Sequence, residues 1–271
     1  MPLYFFTKLY YDERIAVRAC FLYSVFPSVS LFLPVNDVFL GLFGMLGFLF
    51  LFLAIRQVCI KHLLLNYFLS GVSFAIGIFF SISMIVPLIM AIIAYFFMPM
   101  KKNKKIVGYI VLVGGLLSIP FLLLLFHFNT FLVFMEITKL QAKRSYIPWV
   151  FYDLYDFFIF SGIPMLVFSV MLLKGLIKNI LFCHFKQQSE AHFYRSILPF
   201  VFYLVLFLLD ISGFSRAEVG RIWMPYMPIL AIIVAAFLTK EKTLSTKAFS
   251  IVIVLQLVQI LVMQEFWVTL W

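Results

Sequence analysis

Hydrophobic residues occur along this chain in continuous runs of about 20, separated by short polar segments. Runs of that length cross the hydrocarbon core of a bilayer as helices. The chain does not show the alternation of apolar and polar residues over about ten positions that is typical of a membrane barrel strand. We therefore predict nine spans, at about Ile15–Leu33, Val38–Ile55, His62–Phe79, Ser81–Met98, Ile106–Phe126, Phe157–Leu173, Ser196–Leu209, Met224–Leu238 and Ala248–Met263.

Composition points to the same class of protein. Hydrophobic residues make up 65% of the 271 residues, whereas soluble domains are roughly 45–50% apolar. No polar stretch is long enough for a water-facing domain. We predict an all-α, polytopic integral membrane protein, with one transmembrane domain over residues 1–271 and longer outer loops at about 127–156 and 210–222. In a prokaryote its location would be the cell membrane.

The distribution of basic residues predicts the orientation. With the N-terminus in the cytoplasm, 16 of the 21 Lys and Arg residues fall on the inner side and five on the outer side. Loops with excess Lys and Arg stay in the cytoplasm, so we predict an inner N-terminus and an outer C-terminus. The net charge of +10 then reflects topology and attraction to anionic lipid headgroups, not nucleic-acid binding.

This orientation places most carboxylates at the outer face, so any site should lie there. Four acids remain inside, and seven lie on or near the outer side: Asp37, Glu136, Asp153, Asp156, Asp210, Glu218 and Glu265.

The segment from Asp210 to Pro228 is the most charged outer stretch. It holds Asp210, Arg216, Glu218 and Arg221 within twelve residues, and charge beside hydrocarbon usually serves a function. Arginine binds phosphate through two parallel hydrogen bonds, so the two arginines could flank one anion. Alternatively, an interfacial Arg–Glu pair anchors the hairpin, with Trp223 in the aromatic belt.

A second outer patch runs from Lys139 to Asp156. Its cations Lys143 and Arg144 precede Tyr152 and Asp153, a mixture that suits a lipid phosphate or a sugar. An amphipathic interfacial segment with aromatic anchors is the alternative. Shortly afterwards, Gly162-Ile-Pro164 is expected to kink the sixth span.

Asp37 follows Pro34-Val-Asn between two apolar runs. It could bind a polar ligand, or it could cap the next helix. The three cysteines and four histidines have no metal-ligand spacing, and no glycine-rich phosphate loop or Ser or Cys nucleophile motif occurs. We predict neither a metal nor a cofactor.

The Asp210–Pro228 segment, Asp-x-Ser-Gly-x-x-Arg-x-Glu-Val-x-Arg-Ile-Trp-x-x-x-Met-Pro, resembles a motif of multi-spanning glycosyltransferases of the GT-C superfamily. The family motif usually has glycine where this chain has Ala217. The order of the earlier turns is also similar: Pro27-Ser28, then Pro34-Val-Asn-Asp37, then a span with Gly71 and Gly77.

The resemblance implies an enzyme that transfers a sugar, with inversion, from a polyprenyl-phosphate carrier to an acceptor on the outer face. It implies that Arg216, Arg221, Lys143 and Arg144 bind the lipid phosphate, and that Asp210 and Glu218 hold the sugar or orient the arginines. Tyr152 and Asp153 would complete the substrate site. The partners implied are the lipid-linked sugar and membrane lipid.

In that superfamily the catalytic carboxylate lies in a large first outer loop. This chain starts about two spans later in the pattern, so we expect a truncated enzyme, with Asp37 as the substitute base. Two other functions stay open. The first is a non-catalytic membrane protein that binds a lipid phosphate. The second is a transporter of an amphiphile, which the scarcity of charge in mid-span disfavours.

Overall fold

Every regular element in the part of the chain that the computed structural model describes is helical. That part is residues 1–33, 37–142, 146–181, 190–213, 219–240 and 245–266. The predicted all-α membrane class is confirmed. The helices are α1 (Pro2–Tyr10), α2 (Glu13–Ser24), α3 (Pro27–Leu31), α4 (Asp37–Arg56), α5 (Ile60–Phe80), α6 (Ile85–Phe97), α7 (Lys102–Leu125), α8 (Thr130–Ala142), α9 (Tyr146–Ser161), α10 (Ile163–Leu181), α11 (Glu190–Ser212), α12 (Val219–Ile222), α13 (Met227–Lys240) and α14 (Ser245–Phe266).

Five stretches of the described chain are long and apolar enough to cross a bilayer. A sixth is possible if the bent pair α9 and α10 forms one span. The predicted number of nine and the predicted orientation therefore stay predictions. The five stretches are Asp37–Arg56, Ile60–Phe80, Lys102–Leu125, Gly220–Thr239 and Thr246–Phe266.

Two predicted segments have a different structure. The first span is not one helix: α2 ends at Ser24, and α3 begins at Pro27, because proline has no N–H to continue a helix and is tolerated in a first turn. Much of the outer loop predicted over residues 127–156 is helical, since α8 and the first part of α9 occupy it, and its location outside the membrane stays a prediction. Residues 130–142 contain no glycine or proline, so nothing in them interrupts a helix.

The sixth predicted span is sharply bent, which confirms the predicted kink. Helices α9 and α10 meet at 115° across Gly162, whose φ is +109°. Residues with a side chain rarely adopt that conformation. The span predicted as Phe157–Leu173 is therefore the end of α9 and the start of α10.

The core forms around α4 and α13, and α13 belongs to the most deeply buried of the candidate spans. Helix α1 covers the last turns of α4, where the Phe6 ring contacts Phe48 at 5.7 Å and Phe52 at 5.4 Å between centroids. A 3-10 turn, Met224–Tyr226, packs against the first half of α4. The start of α13 is thereby held beside the start of α4.

Basic side chains bind backbone and hydroxyl groups at the other end of α4 and α13. Arg56 donates to the carbonyl oxygen of Leu9, and Lys104 Nζ donates to the Gln57 carbonyl at 3.2 Å. Buried Arg18 donates to Thr239 Oγ1 at 3.1 Å. One end of the bundle is thus basic, and Asp37 lies at the opposite end of α4.

Helices α5 and α7 approach each other closely through glycine. A Cβ atom added at Gly115 would lie 2.3 Å from the Phe68 carbonyl oxygen, and one at Gly71 would lie 2.2 Å from the Leu112 carbonyl oxygen. Small residues at such contacts let helix backbones pack tightly in a bilayer. The adjacent Gly114 has no neighbour within 4 Å of the same position.

These two adjacent glycines provide a matched test of the packing. We expect Gly115→Ala to destabilise the protein by about 1–3 kcal/mol, because the added methyl group meets backbone that cannot move aside. We expect Gly114→Ala to be neutral or to stabilise the helix by up to about 1 kcal/mol. The measurement is reversible unfolding of the two variants in mixed detergent micelles. Equal effects would contradict the close α5–α7 contact.

Candidate functional site

An ion pair joins the start of α4 to α12. Arg221 Nε lies 3.1 Å from Asp37 Oδ2, and the two side chains are about 32% and 21% exposed. Asp37 is the first residue of α4, where the helix dipole favours a negative charge. The pair connects residues that are far apart in the sequence, and it is the centre of the candidate site.

The floor of the site is an aromatic contact that requires glycine at position 220. A Cβ atom there would lie 2.2 Å from the Phe160 ring. The same ring contacts Phe32 at 5.3 Å between centroids. The last turn of α9 therefore contacts Gly220, which precedes Arg221, and Phe32, which lies shortly before Asp37 in the chain.

Asp153 is buried in the same region, with only 1% of its surface exposed. It interacts electrostatically with Tyr226 of the 3-10 turn. One turn later on α9, the Phe157 ring contacts Trp223 at 5.6 Å between centroids. Tyr152 is the adjacent residue but is 58% exposed, since successive helical residues point about 100° apart. The structure therefore separates these two predicted site residues.

Asp210 lies near the end of α11 and is 3% exposed. Within the described residues, its Oδ1 atom and the indole nitrogen of Trp223 have no hydrogen-bond partner. Buried polar atoms without a partner are uncommon and often occur at functional sites. The end of α11 is joined to α9 by the Tyr146 hydroxyl, which donates to the Ile211 carbonyl oxygen.

The remaining predicted site residues, Lys143, Arg144, Arg216 and Glu218, lie outside the described residues. Sequence analysis missed the pairing of Asp37 with Arg221 and the roles of Phe160 and Gly220. The glycine next to Arg221 in the Val-Gly-Arg stretch was the one feature of the sequence that could have indicated this close contact.

In the described ranges, no three His, Cys, Asp or Glu side chains form a group that could hold a metal ion. The absence of a metal stays a prediction.

An apolar cavity of about 470 Å³ lies between α5, α7 and α8. Phe79, Phe80 and Phe128 line it. The Phe80 ring stacks on Phe43 of α4 at 6.0 Å between centroids. Phe43 is six residues after Asp37, which is about 9 Å along a helix. The cavity is therefore near the same end of α4 as the ion pair.

Comparison with known proteins relates the first part of the chain to a sugar-transferring family. Residues 1–124 match the family model described as dolichyl-phosphate-mannose-protein mannosyltransferase. The match confirms the predicted resemblance to glycosyltransferases of the GT-C superfamily. It covers Asp37 but not the Asp210–Pro228 segment. No curated protein and no solved structure matches the chain.

The strength of the Asp37–Arg221 pair can be measured by a double-mutant cycle. We expect a coupling free energy of about 1–2 kcal/mol from Asp37→Ala, Arg221→Ala and the double variant, because the pair is partly shielded from water. The exposed Lys8–Glu13 pair, at 3.4 Å, is the control and should give below about 1 kcal/mol. Both cycles use unfolding in mixed micelles. Equal coupling in the two pairs would show that the site is as open to solvent as the surface.

Proposed function

We propose that the protein is a membrane glycosyltransferase that transfers a sugar from a polyprenyl-phosphate carrier to an acceptor hydroxyl at the outer face. The family match supports a polyprenyl-phosphate-sugar-dependent enzyme of the membrane. The transfer to an extracytoplasmic acceptor rests on the predicted orientation, which places Asp37 and Arg221 outside.

The Asp37–Arg221 ion pair is the observation that carries this proposal. It joins the segment that matches the mannosyltransferase family to the charged segment that carries the GT-C-like motif. A carboxylate and a guanidinium thus meet at one end of the bundle, beside hydrocarbon. These are the two kinds of group that transfer from a lipid phosphate requires.

The chemistry assigned to the pair is a direct displacement. The acceptor oxygen attacks the anomeric carbon while the bond from that carbon to the phosphate oxygen breaks. The acceptor proton passes to a carboxylate, for which Asp37 is the candidate, and polyprenyl phosphate departs. Negative charge grows on the departing phosphate, and a fixed cation near it lowers the barrier. Arg221 has this role, because a guanidinium can bind a carboxylate and a phosphate in one plane.

The apolar cavity provides a place for the carrier chain. Its phenylalanine lining suits an isoprenoid, and its Phe80 ring stacks on Phe43 of α4. Lys143, Arg144 and Arg216 stay candidates for the phosphate. Glu218, Asp210, Tyr152 and Asp153 stay candidates for the sugar. Asp210 is the strongest of them, because one oxygen of its buried carboxylate has no hydrogen-bond partner among the described residues.

One observation favours a non-catalytic function instead. The Asp37 carboxylate, the candidate base, is engaged by Arg221, and a carboxylate that only orients an arginine would give a protein that binds the lipid phosphate without transferring the sugar. The two functions differ in the effect of Asp37→Asn. In an enzyme, loss of the base lowers kcat. In a binding protein, which transfers no sugar, loss of the orienting group raises the Kd for the donor.

The test uses purified protein in nanodiscs with radiolabelled polyprenyl-phosphate mannose and an extract of membrane acceptors. The product measured is polyprenyl phosphate, which the donor releases whichever acceptor takes the sugar. We expect Arg221→Ala to lower kcat/KM by about 10²–10³-fold, because one charge-stabilising group is lost. Arg221→Lys should restore part of this. Asp37→Asn should lower kcat by about 10²–10⁴-fold if Asp37 is the base.

Arg56→Ala is the matched control, since Arg56 contacts Leu9 and Tyr10 at the opposite end of α4. It should leave kcat/KM within a few-fold of the unmodified protein. Donor binding without transfer, abolished by Arg221→Ala, would establish the non-catalytic function. Absence of binding to this donor and to a pentose-bearing carrier would exclude both functions.

A further inference from the structure

The break between α9 and α10 interrupts the backbone hydrogen bonds of two apolar helices that pack beside α14. The Gly162 N–H still bonds within α9, to the Phe158 carbonyl at 2.9 Å and, more weakly, to the Ile159 carbonyl at 3.1 Å. The carbonyl groups of Ile159 and Ser161 and the N–H of Ile163 lie at the ends of the two helices. In a bilayer each of these groups must find a partner within the protein.

Two glutamines of α14 supply these partners. Gln256 Nε2 donates to the Ser161 carbonyl at 3.0 Å. Gln259 Nε2 donates to the Ile159 carbonyl at 2.8 Å, and Gln259 Oε1 accepts from the Ile163 N–H at 2.8 Å. The glutamines are three residues apart, so they lie on one face of α14. We call Gln256 and Gln259 the glutamine clamp.

The clamp fits the bend closely. Gln256 is fully buried, and a Cβ atom at Gly162 would lie 2.0 Å from its Oε1 atom. The glycine therefore makes room for the amide as well as allowing the positive φ. An apolar side chain at 256 would leave the Ser161 carbonyl without this donor.

The clamped residues are directly linked to the candidate site. Ser161 follows Phe160, whose ring occupies the space over Gly220 and contacts Phe32. Gly220 precedes Arg221, and Arg221 pairs with Asp37. The end of α9 thus contacts the clamp on one side and, through Phe160, both Gly220 and Phe32 on the other.

We propose that Gln256 and Gln259 are positioning residues for the candidate site. By fixing the end of α9, they hold the Phe160 ring against Gly220 and so set the position of Arg221 relative to Asp37. The inference that this affects sugar transfer rests on the proposed function. The placement of Phe160 does not depend on it and can be tested separately.

The first test is a cross-link between Phe160→Cys and Gly220→Cys, in protein whose Cys20, Cys59 and Cys183 are replaced by alanine. A Cβ atom at Gly220 lies 2.4 Å from the first ring carbon of Phe160, so the two Cβ atoms are at most about 4 Å apart, which suits a disulfide. A protease site inserted at residues 182–189 lets a gel report whether the two halves stay joined. We expect Gln256→Met with Gln259→Met to slow oxidation about tenfold, because three hydrogen bonds of modest strength in a membrane are lost.

Gln264→Met on the exposed side of α14 is the matched control and should leave the cross-linking rate unchanged. Gln256→Met alone keeps the two bonds of Gln259 and should give an intermediate rate, which covers the case in which the double variant does not fold. Equal rates in the clamp variants and the control would overturn the proposal.

The second test asks whether the clamp acts through Arg221. With polyprenyl-phosphate mannose as donor, the double clamp variant should lower kcat/KM about tenfold when Arg221 is present and less than about twofold in the Arg221→Ala background, since residues that act through one group are not additive. Equal losses in both backgrounds would show a merely structural role. If no variant transfers sugar, the proposed function fails while the cross-linking result still decides the positioning role.

Discussion

Polar groups within the hydrocarbon region must be satisfied by other groups of the protein, and the arrangement of this chain follows from that constraint. The break between α9 and α10 is compatible with a bilayer because Gln256 and Gln259 bind the backbone groups that it exposes. Arg18 is buried because it donates to the hydroxyl of Thr239. Asp37 and Arg221 are stable beside apolar helices because each is the other's counter-ion.

The same constraint explains why the candidate site is assembled from distant segments. A charged side chain next to a bilayer needs an opposite charge, and α4 alone offers none near Asp37. The 3-10 turn before α13 packs on α4 and brings Arg221 to it. The buried end of α9 then closes the space beneath with Phe160. A pair that first stabilises the fold is in this way also placed where a lipid phosphate would meet the protein.

The spacing of apolar residues predicted most of the helices, and the glycine–proline stretch predicted the bend at Gly162. Amphipathic segments were harder, because α8 is too polar to read as a span and has no turn residues to mark it as a loop. The break in the first predicted span lies just before Pro27. Proline is tolerated in the first turn of a helix, so the sequence alone did not show whether the preceding helix ends there. At the site, the sequence indicated Asp37, Asp210 and Arg221 separately and gave no sign of which would meet.

The sequence by itself determined that this is a helical membrane protein and that it is similar to glycosyltransferases of the GT-C type. These properties depend on composition and on short-range periodicity. The tertiary structure alone decided that Asp37 pairs with Arg221, that Asp153 is buried while Tyr152 is exposed, and that α14 holds the bend of α9. Such contacts join residues roughly 100 or more positions apart, and they form only when packing brings complementary groups together in a medium that offers no other partner.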